Sequence, residues 1–137
     1  MVYVTRRERF NAAHRLFRND WSDETNNEIF GKCSNPNWHG HNYELHVTVR
    51  GKVSTETGFV VNLKDLSRIL KTKIVDKVDH KNLNLEVEFL KGMIISSENL
   101  AKAFWREIEH DIKLLGAELH CVKVTETENN YVEYFGE

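Results

Sequence analysis

The feature that most constrains the fold is the strict alternation of side chains across residues 41–50. One parity is mainly apolar, with His41, Tyr43, Leu45, Val47 and Val49, while the other parity is polar or charged. Because successive side chains of a strand point to opposite faces of a sheet, this pattern predicts a strand with one buried face. Such strands are typical of antiparallel sheets that are covered on one side only.

Three further segments predict strands of the same sheet. Residues 2–14 also alternate, and their mainly apolar parity ends at His14. The segments HCVKVTE (residues 120–126) and YVEYF (residues 131–135) flank the turn-forming ENN, which indicates a hairpin. We also expect GFVV, residues 58–61, to form a short return strand after a turn.

Two helices are predicted between these pairs of strands. Asn62 can cap a helix whose apolar residues recur at helical spacing, namely Leu63, Leu66, Ile69, Leu70 and Ile74. Ser96 or Ser97 can cap a second helix, which Gly116 ends. Residues 22–30 indicate only one helical turn in a long polar loop. The order of elements predicts a single α+β domain over residues 1–137, with helices on one face of a mainly antiparallel four-stranded sheet.

The edges of this sheet need a partner or protection, because an unpaired strand edge invites uncontrolled pairing. Closing the sheet with copies of itself into an oligomeric barrel meets that need. Guarding the edges with Lys and Glu side chains meets it equally well, and the strand pattern does not favour either solution.

Composition excludes several classes of function. The formal charge is −2, from 19 basic and 21 acidic residues, so nothing favours binding to nucleic acid. No apolar stretch approaches the length that spans a membrane, and the N-terminus lacks the apolar core of a signal peptide. We expect a cytoplasmic protein in which Cys33 and Cys121 are free thiols.

Three histidines form a candidate metal site. His39 and His41 stand two apart on one face of a predicted strand, about 7 Å apart at the backbone. His14 is the last residue on the mainly apolar face of another predicted strand, and pairing of the two strands can bring it next to His39 and His41. Three imidazoles without a fourth protein ligand leave a coordination position open for water or substrate. The HxH pattern alone is weak, because such histidines are more often surface or core residues than ligands.

Cys33 has three readings from the sequence. It can be a fourth metal ligand that closes the site, a catalytic thiolate, or a small buried side chain. The SNPNW segment at residues 34–38 is a poor setting for a core cysteine. Cys121 alternates within an apolar strand and is expected to pack.

Three more ionisable residues have both structural and functional readings. Asp79 and His80 interrupt the helical pattern, and a capping Asp followed by a loop histidine is favoured over a proton shuttle polarised by a carboxylate. Glu126 shares the parity of apolar residues in the strand over residues 120–126. It either ends the strand in solvent or pairs with a ligand that offers adjacent N–H donors.

Six segments together resemble the 6-pyruvoyl-tetrahydropterin synthase family. They are FNAAHRL (10–16), FGKCSNPNWHGHNYELHVTVRG (30–51), TGFVVNLKDL (57–66), VDHKNLN (78–84), ISSENLA (95–101) and VKVTETENNYVEY (122–134). They occur in family order through nearly the whole chain. The combination of a cysteine, a five-residue gap, HGH and the later DHKNLN and TETENN is highly specific.

The resemblance implies the T-fold, or tunnelling fold, with four antiparallel strands and two helices per subunit. Three subunits close a barrel and two trimers stack into a homohexamer, with active sites at the subunit interfaces. By similarity, His14, His39 and His41 bind Zn²⁺, and Cys33 is the catalytic base.

The same resemblance assigns the remaining site residues. Asp79 and His80 complete a proton relay across a subunit boundary, and Glu126 anchors the pterin ring. A neighbouring subunit lines the pterin pocket with Ser96, Ser97 and Glu98.

The implied reaction is the conversion of 7,8-dihydroneopterin triphosphate to 6-pyruvoyl-tetrahydropterin and triphosphate, a step of tetrahydrobiopterin biosynthesis. The alternative in the same fold is 6-carboxy-tetrahydropterin synthase activity on the same substrate, where the gap between Cys and HGH is three residues. A non-catalytic zinc-stabilised binding module with Cys33 as fourth ligand is a second alternative. A cysteine hydrolase using Cys33 and His80 is a third.

Two positions depart from the family pattern. Trp38 stands where a glycine is expected, which can narrow the entrance to the site. Ser96 and Ser97 replace two threonines but keep the hydroxyls. For the triphosphate, Arg15, Arg18 and Lys32 are the cations near enough in sequence to the site, and the sequence favours none of them.

Overall fold

The computed structural model describes residues 1–137 and consists of one five-stranded sheet and three helices. The strands are β1 (Val2–His14), β2 (His39–Gly51), β3 (Lys81–Asn82), β4 (Glu118–Thr127) and β5 (Asn130–Tyr134). The helices are α1 (Asp23–Phe30), α2 (Leu63–Leu70) and α3 (Ser97–Leu114). The helical path of α2 continues through a wider π turn, Lys71–Val75, and a last α turn, Asp76–Val78.

A long antiparallel ladder between β1 and β2 organises the molecule. The two strands pair along their whole length, from Val2 opposite Gly51 to His14 opposite His39. The predicted alternation is confirmed, since Phe10 and Tyr43 are buried on the helix-facing side and stack with their ring centroids 4.8 Å apart. This register fixes which side chains meet at the end of the sheet.

The sheet order is β3-β1-β2-β4-β5, which differs from the prediction in two ways. A fifth strand, β3, pairs in parallel with β1 at Ala12 and Ala13. The prediction of a short strand over residues 58–61 is wrong. These residues cannot pair with β2, because β1 and β4 already occupy both of its edges. Those residues follow a bent path instead, and Val61 packs into the core.

Helices α2 and α3 cover one face of the sheet as predicted. Asn62 caps α2 by accepting the Lys64 N–H (2.9 Å), and Ser96 caps α3 by accepting the Asn99 N–H (3.2 Å). Their apolar faces supply fully buried side chains to one continuous core, among them Leu66, Leu70, Leu100, Phe104 and Ile108.

Helix α1 is longer than the single turn expected from the sequence. It spans eight residues because the Ser22 hydroxyl accepts the Thr25 N–H (3.1 Å) and Asp23 lies in the first turn, where the helix dipole favours negative charge. A 3₁₀ turn, Gly31–Ser34, follows at once. This turn carries Cys33 toward the start of β2.

The uncovered face of the sheet is polar. Glu44 lies between two guanidinium groups, 3.7 Å from Arg7 and 3.8 Å from Arg9. None of the helices has the length and hydrophobicity that a bilayer crossing requires.

Candidate metal and catalytic site

Three histidine rings meet where β1 ends and β2 begins. Their ligand atoms all lie within 4.8 Å of one another. The ring centroid of His14 is 4.5 Å from that of His39 and 5.0 Å from that of His41. The sequence prediction that an adjacent strand brings His14 beside the HxH pair therefore matches the geometry.

The ladder register explains this cluster. His14 lies opposite His39 and Ala12 lies opposite His41, so the three imidazoles project from one face of two paired strands. Gly40 allows the strands this close approach, since a Cβ there would lie 3.3 Å from the carbonyl oxygen of Ala12. A larger residue between the two histidines would push against the β1 backbone.

The free nitrogens of the cluster fit a metal ion. His14 Nε2, His39 Nδ1 and His41 Nε2 are all buried and have no hydrogen-bond partner. Burial is the main reason that the pKa values of His14 and His39 lie below the ordinary histidine value, so these rings are neutral near pH 7. Neutral imidazoles with unused lone pairs are the ligands that Zn²⁺ and similar cations prefer.

A backbone contact orients the first of these ligands. His14 Nδ1 donates a hydrogen bond of 2.8 Å to the carbonyl oxygen of Ile95, which leaves Nε2 as the lone-pair nitrogen. Two nitrogens bound to one tetrahedral ion at about 2.1 Å lie about 3.4 Å apart, so the three rings must move slightly closer together to hold it. Cys33 does not belong to the group, and three ligands leave one tetrahedral position open.

Glu126 lies beside the histidine cluster. Its Oε1 atom is 3.5 Å from His41 Nε2, and its Oε2 atom accepts a 2.7 Å hydrogen bond from the Ser97 hydroxyl. Ser96, Ser97 and Glu98 line a cavity of about 330 Å³ with Glu126. The resemblance implied that a neighbouring subunit supplies this segment, but here Ser97 contacts Glu126 within one chain.

Cys33 is partly buried in the Gly31–Ser34 turn. Its carbonyl oxygen accepts the Leu16 N–H (2.8 Å), and the carbonyl oxygen of Ser34 accepts a hydrogen bond from Arg15 Nε (2.7 Å). These two bonds hold the turn against the chain that leaves His14. Cys121 is buried in β4, as expected, and both thiols are free.

Tyr43 is a site residue that sequence reasoning did not single out. Its hydroxyl is buried without a hydrogen-bond partner, and its ring lies 5.4 Å from His41 between centroids. Burial, reinforced by the charges of Glu126 and Cys33, raises the pKa of Tyr43 above its usual range. Its position on the same strand parity as His39 and His41 was the available signal. No sequence signal pointed to the Ile95 carbonyl, because any residue can supply a backbone oxygen.

Asp79 and His80 form a pair next to β1. Asp79 Oδ1 accepts the Asn11 N–H (2.9 Å) and lies 3.0 Å from His80 Nδ1. The Asn11 N–H is the main reason that the pKa of Asp79 lies below its usual value, and the His80 ring adds to the effect. His80 has a φ of 60°, a left-handed conformation that is uncommon for histidine.

The Asp79 carboxylate does not cap a helix. It accepts a backbone N–H of β1 and also contacts the His80 ring. The His80 side chain is 80% exposed, and it lines a cavity of about 470 Å³ together with His41. This cavity therefore connects one residue of the pair, His80, with one residue of the cluster, His41.

Trp38, immediately before the cluster, also has a left-handed backbone, with a φ of 67°. Its N–H donates to the Asn35 carbonyl oxygen (3.1 Å), which closes the turn into β2. A glycine adopts this conformation without steric cost, so the tryptophan introduces backbone strain at the edge of the site.

As a class, the fold and site define an α+β protein with a group of three histidines that could hold a metal ion. The family model for 6-pyruvoyl tetrahydropterin synthase matches residues 3–137. The 6-pyruvoyl tetrahydrobiopterin synthase of Dictyostelium discoideum is 45% identical over 136 residues, covering 99% of this chain and 97% of that protein. The chain belongs to the 6-pyruvoyl tetrahydropterin synthase family.

Two further similarities agree with this assignment. The 6-pyruvoyl tetrahydrobiopterin synthase of Homo sapiens is 43% identical over 134 residues, covering 98% of this chain and 91% of that protein. The solved structure of Caenorhabditis elegans 6-pyruvoyl tetrahydropterin synthase superposes with a TM-score of 0.92 at 38% identity, covering 99% of this chain and 96% of that one. The predicted T-fold is confirmed, with β3 as an addition to the four expected strands.

Proposed function

We propose that the chain is a zinc-dependent lyase that converts 7,8-dihydroneopterin triphosphate to 6-pyruvoyl-tetrahydropterin and triphosphate in tetrahydrobiopterin biosynthesis. The observation that carries the proposal is the group of three imidazoles beside Glu126, each with a buried nitrogen that has no hydrogen-bond partner. The names of the relatives above support the same reaction.

In the proposed metal site, His14, His39 and His41 hold the ion. A bound Zn²⁺ supplies Lewis acidity to substrate oxygens at the open position, which makes neighbouring carbon-bound protons more acidic. The chain contributes by keeping His14 and His39 neutral through burial, which lowers the pKa of each ring, and by fixing the His14 tautomer through the Ile95 carbonyl.

Glu126 is proposed to orient the pterin. A carboxylate can accept two parallel hydrogen bonds from adjacent N–H groups of a pterin ring edge. The Ser97 hydroxyl, donating to Oε2, limits rotation of the carboxylate. Ser96 and Glu98 line the same cavity as Glu126 and complete its wall. Holding the ring in one orientation favours one stereochemical outcome and lowers the entropic part of the barrier.

Cys33 is proposed as the base that removes and returns carbon-bound protons. Its thiolate acts on one face of the substrate, and His80 acts on the other face. Asp79 stays ionised near neutral pH, since its pKa lies below the usual value, and it can hold the Nδ1 proton of His80. Positioned proton transfer of this kind is worth about 10²–10⁴-fold in rate.

The exposure of His80 supports a site that is completed by another subunit. We propose a single-domain subunit that forms a homohexamer, a dimer of trimers, in which the outer strands β3 and β5 pair with neighbouring copies into barrels. Such pairing satisfies the open sheet edges and covers the Asp79–His80 pair. The two free thiols support a reducing compartment, and we propose the cytoplasm.

The test is product analysis with metal-loaded protein and 7,8-dihydroneopterin triphosphate. We expect release of triphosphate and formation of 6-pyruvoyl-tetrahydropterin. Release of acetaldehyde would instead assign the 6-carboxy-tetrahydropterin synthase reaction, and no turnover would favour the binding module. Activity that survives removal of the metal would favour the cysteine hydrolase.

A further inference from the structure

A polar cavity of about 630 Å³ lies between α1 and the Gly31–Ser34 turn. Its lining side chains are polar or charged except for that of Pro36. We propose that this cavity binds the triphosphate group of the substrate, mainly through Arg15 and Lys32. The proposal rests on the function proposed above and adds a binding region for the leaving group.

The position of the cavity suits a leaving group. Gly31, Lys32 and Ser34 form part of its wall, and they flank Cys33 on both sides. Arg15, which also lines the cavity, directly follows His14. The cavity is therefore built from the two segments that carry the proposed base and the first metal ligand.

Contacts within the chain orient the Arg15 guanidinium so that it can bind an anion. Its Nε atom donates to the Ser34 carbonyl oxygen, and its guanidinium carbon lies 4.1 Å from the centroid of the Phe17 ring. Its terminal nitrogens have no hydrogen-bond partner in the chain, so the outer side of the guanidinium remains available. A guanidinium held in place loses little entropy when its planar fork binds phosphate oxygens.

The two cations of the cavity are not neutralised by the protein. Neither Arg15 nor Lys32 forms an ion pair with any carboxylate of the chain. Asn27 and Asn35 add amide groups to the wall, and Asn35 presents its oxygen to the Asn37 N–H (2.8 Å), which leaves its NH₂ free to donate. Cations and amide donors without an aromatic surface fit a polyphosphate better than a pterin ring.

Arg18, the third cation suspected from the sequence, is different. Its Nε and Nη2 atoms both donate to the Asp20 carboxylate, at 2.8 Å and 2.6 Å, and it does not line the cavity. Because the Asp20 carboxylate neutralises this exposed guanidinium, Arg18 attracts an anionic ligand only weakly. The structure thus separates Arg15 and Lys32 from Arg18, which the sequence could not do.

Asp23 sets a limit on affinity. Its carboxylate lines the same cavity and is paired with neither cation. A negative charge there repels a polyphosphate, which favours release of the triphosphate product. Replacing Asp23 by asparagine keeps the shape and removes that repulsion.

The test is calorimetric titration of the metal-loaded, full-length protein with inorganic tripolyphosphate, repeated with orthophosphate. Tripolyphosphate itself binds divalent cations, so each titration is also run after removal of the metal. Loss of one charged contact typically weakens anion binding about tenfold, which we expect for Lys32→Gln and Arg15→Gln. Asp23→Asn should bind severalfold more tightly, and Arg18→Gln, the matched control, should bind as the wild-type protein does.

Lys32 and Asp23 are exposed and make no side-chain hydrogen bond, so their variants remove a charge from the cavity without breaking a hydrogen bond. Asp23→Asn also removes a favourable charge from the first turn of α1, where Glu24 remains. Tripolyphosphate should bind more tightly than orthophosphate, and the KM for the pterin triphosphate should rise more than kcat falls in Lys32→Gln. Equal binding by wild type, Lys32→Gln and Asp23→Asn, or an equal loss in Arg18→Gln, would overturn the proposal. Failure of the wild-type protein to turn over substrate would refute the function alone, and the titrations would still decide the cavity.

Discussion

The two histidine-containing regions next to β1 differ in how much of them one chain completes. His14, at the end of the strand, is 1% exposed and lies in a cluster with two other imidazoles. The His80 side chain, which lies beside Asn11 of the same strand, is 80% exposed. The donors of the proposed cation site are desolvated within one chain, whereas the His80 side chain of the proposed proton relay is exposed to solvent.

The difference has a structural cause. The cluster is fixed by the register of a continuous 13-residue ladder, in which His14 pairs with His39. The Asp79–His80 pair depends on one left-handed residue and on two hydrogen bonds to Asn11, one of them donated by the His80 N–H to the Asn11 carbonyl oxygen (2.6 Å). We therefore expect substitutions in the two regions to act on different quantities.

The largest effect is expected for His39→Ala. Removing one of three imidazoles leaves two ligands, which should reduce bound metal from about one ion per chain to a small fraction and abolish turnover. Metal content measured by mass spectrometry on the purified variant checks this. His110→Ala, at an exposed position of α3, is the matched control and should keep both metal and activity. A His39→Ala protein with full metal content would show that His39 is not a metal ligand and would contradict the contrast between the two regions.

A smaller effect is expected for His80→Ala. Loss of a positioned proton donor should lower kcat by about 10²–10⁴-fold while the metal content stays at the wild-type level. Single-turnover kinetics and metal analysis of the same sample separate the two quantities. If this variant lost its metal, the two regions would not be independent.

The smallest effect concerns the Asp79 carboxyl and stability at low pH. Its folded pKa lies below the unfolded value, chiefly because of the Asn11 N–H, so its contribution to stability is complete above about pH 4 and is lost as the pH falls further. Because the carboxyl is partly exposed, the contribution should be below about 1 kcal/mol. Urea unfolding between pH 6 and pH 3 should show that wild type has a larger free energy of unfolding than Asp79→Asn, and that this difference becomes smaller as the pH falls. A difference in free energy of unfolding that grows as the pH falls would contradict this account of the pair.

Local signals in the sequence were enough for most of the fold. The alternation of residues 41–50 and the cap at Asn62 depend on neighbours in the chain and were predicted correctly. The cap of α3 was narrowed to Ser96 or Ser97, and the structure shows Ser96. The two-residue strand β3 and the bent path of residues 58–61 depend on which sheet edges are free. That is a property of the assembled sheet, and no short segment encodes it.

The site was predictable to a similar degree. The parity of His14, His39 and His41 was enough to place three imidazoles on one face. The Ile95 carbonyl that orients His14 and the contact of Ser97 with Glu126 join residues 81 and 29 positions apart. Such long-range contacts follow from packing of the α3 segment on the sheet, which a pattern of residue types does not specify.

The central claim is that three imidazoles alone hold the cation and that the Cys33 sulfur stays free to move protons. Metal content and turnover measured together on wild type and Cys33→Ala test it most directly, with Cys121→Ala as the matched cysteine control. We predict about one ion per chain in all three proteins and turnover lost only in Cys33→Ala. Loss of the metal together with Cys33 would show that the sulfur is a fourth ligand and would contradict the account.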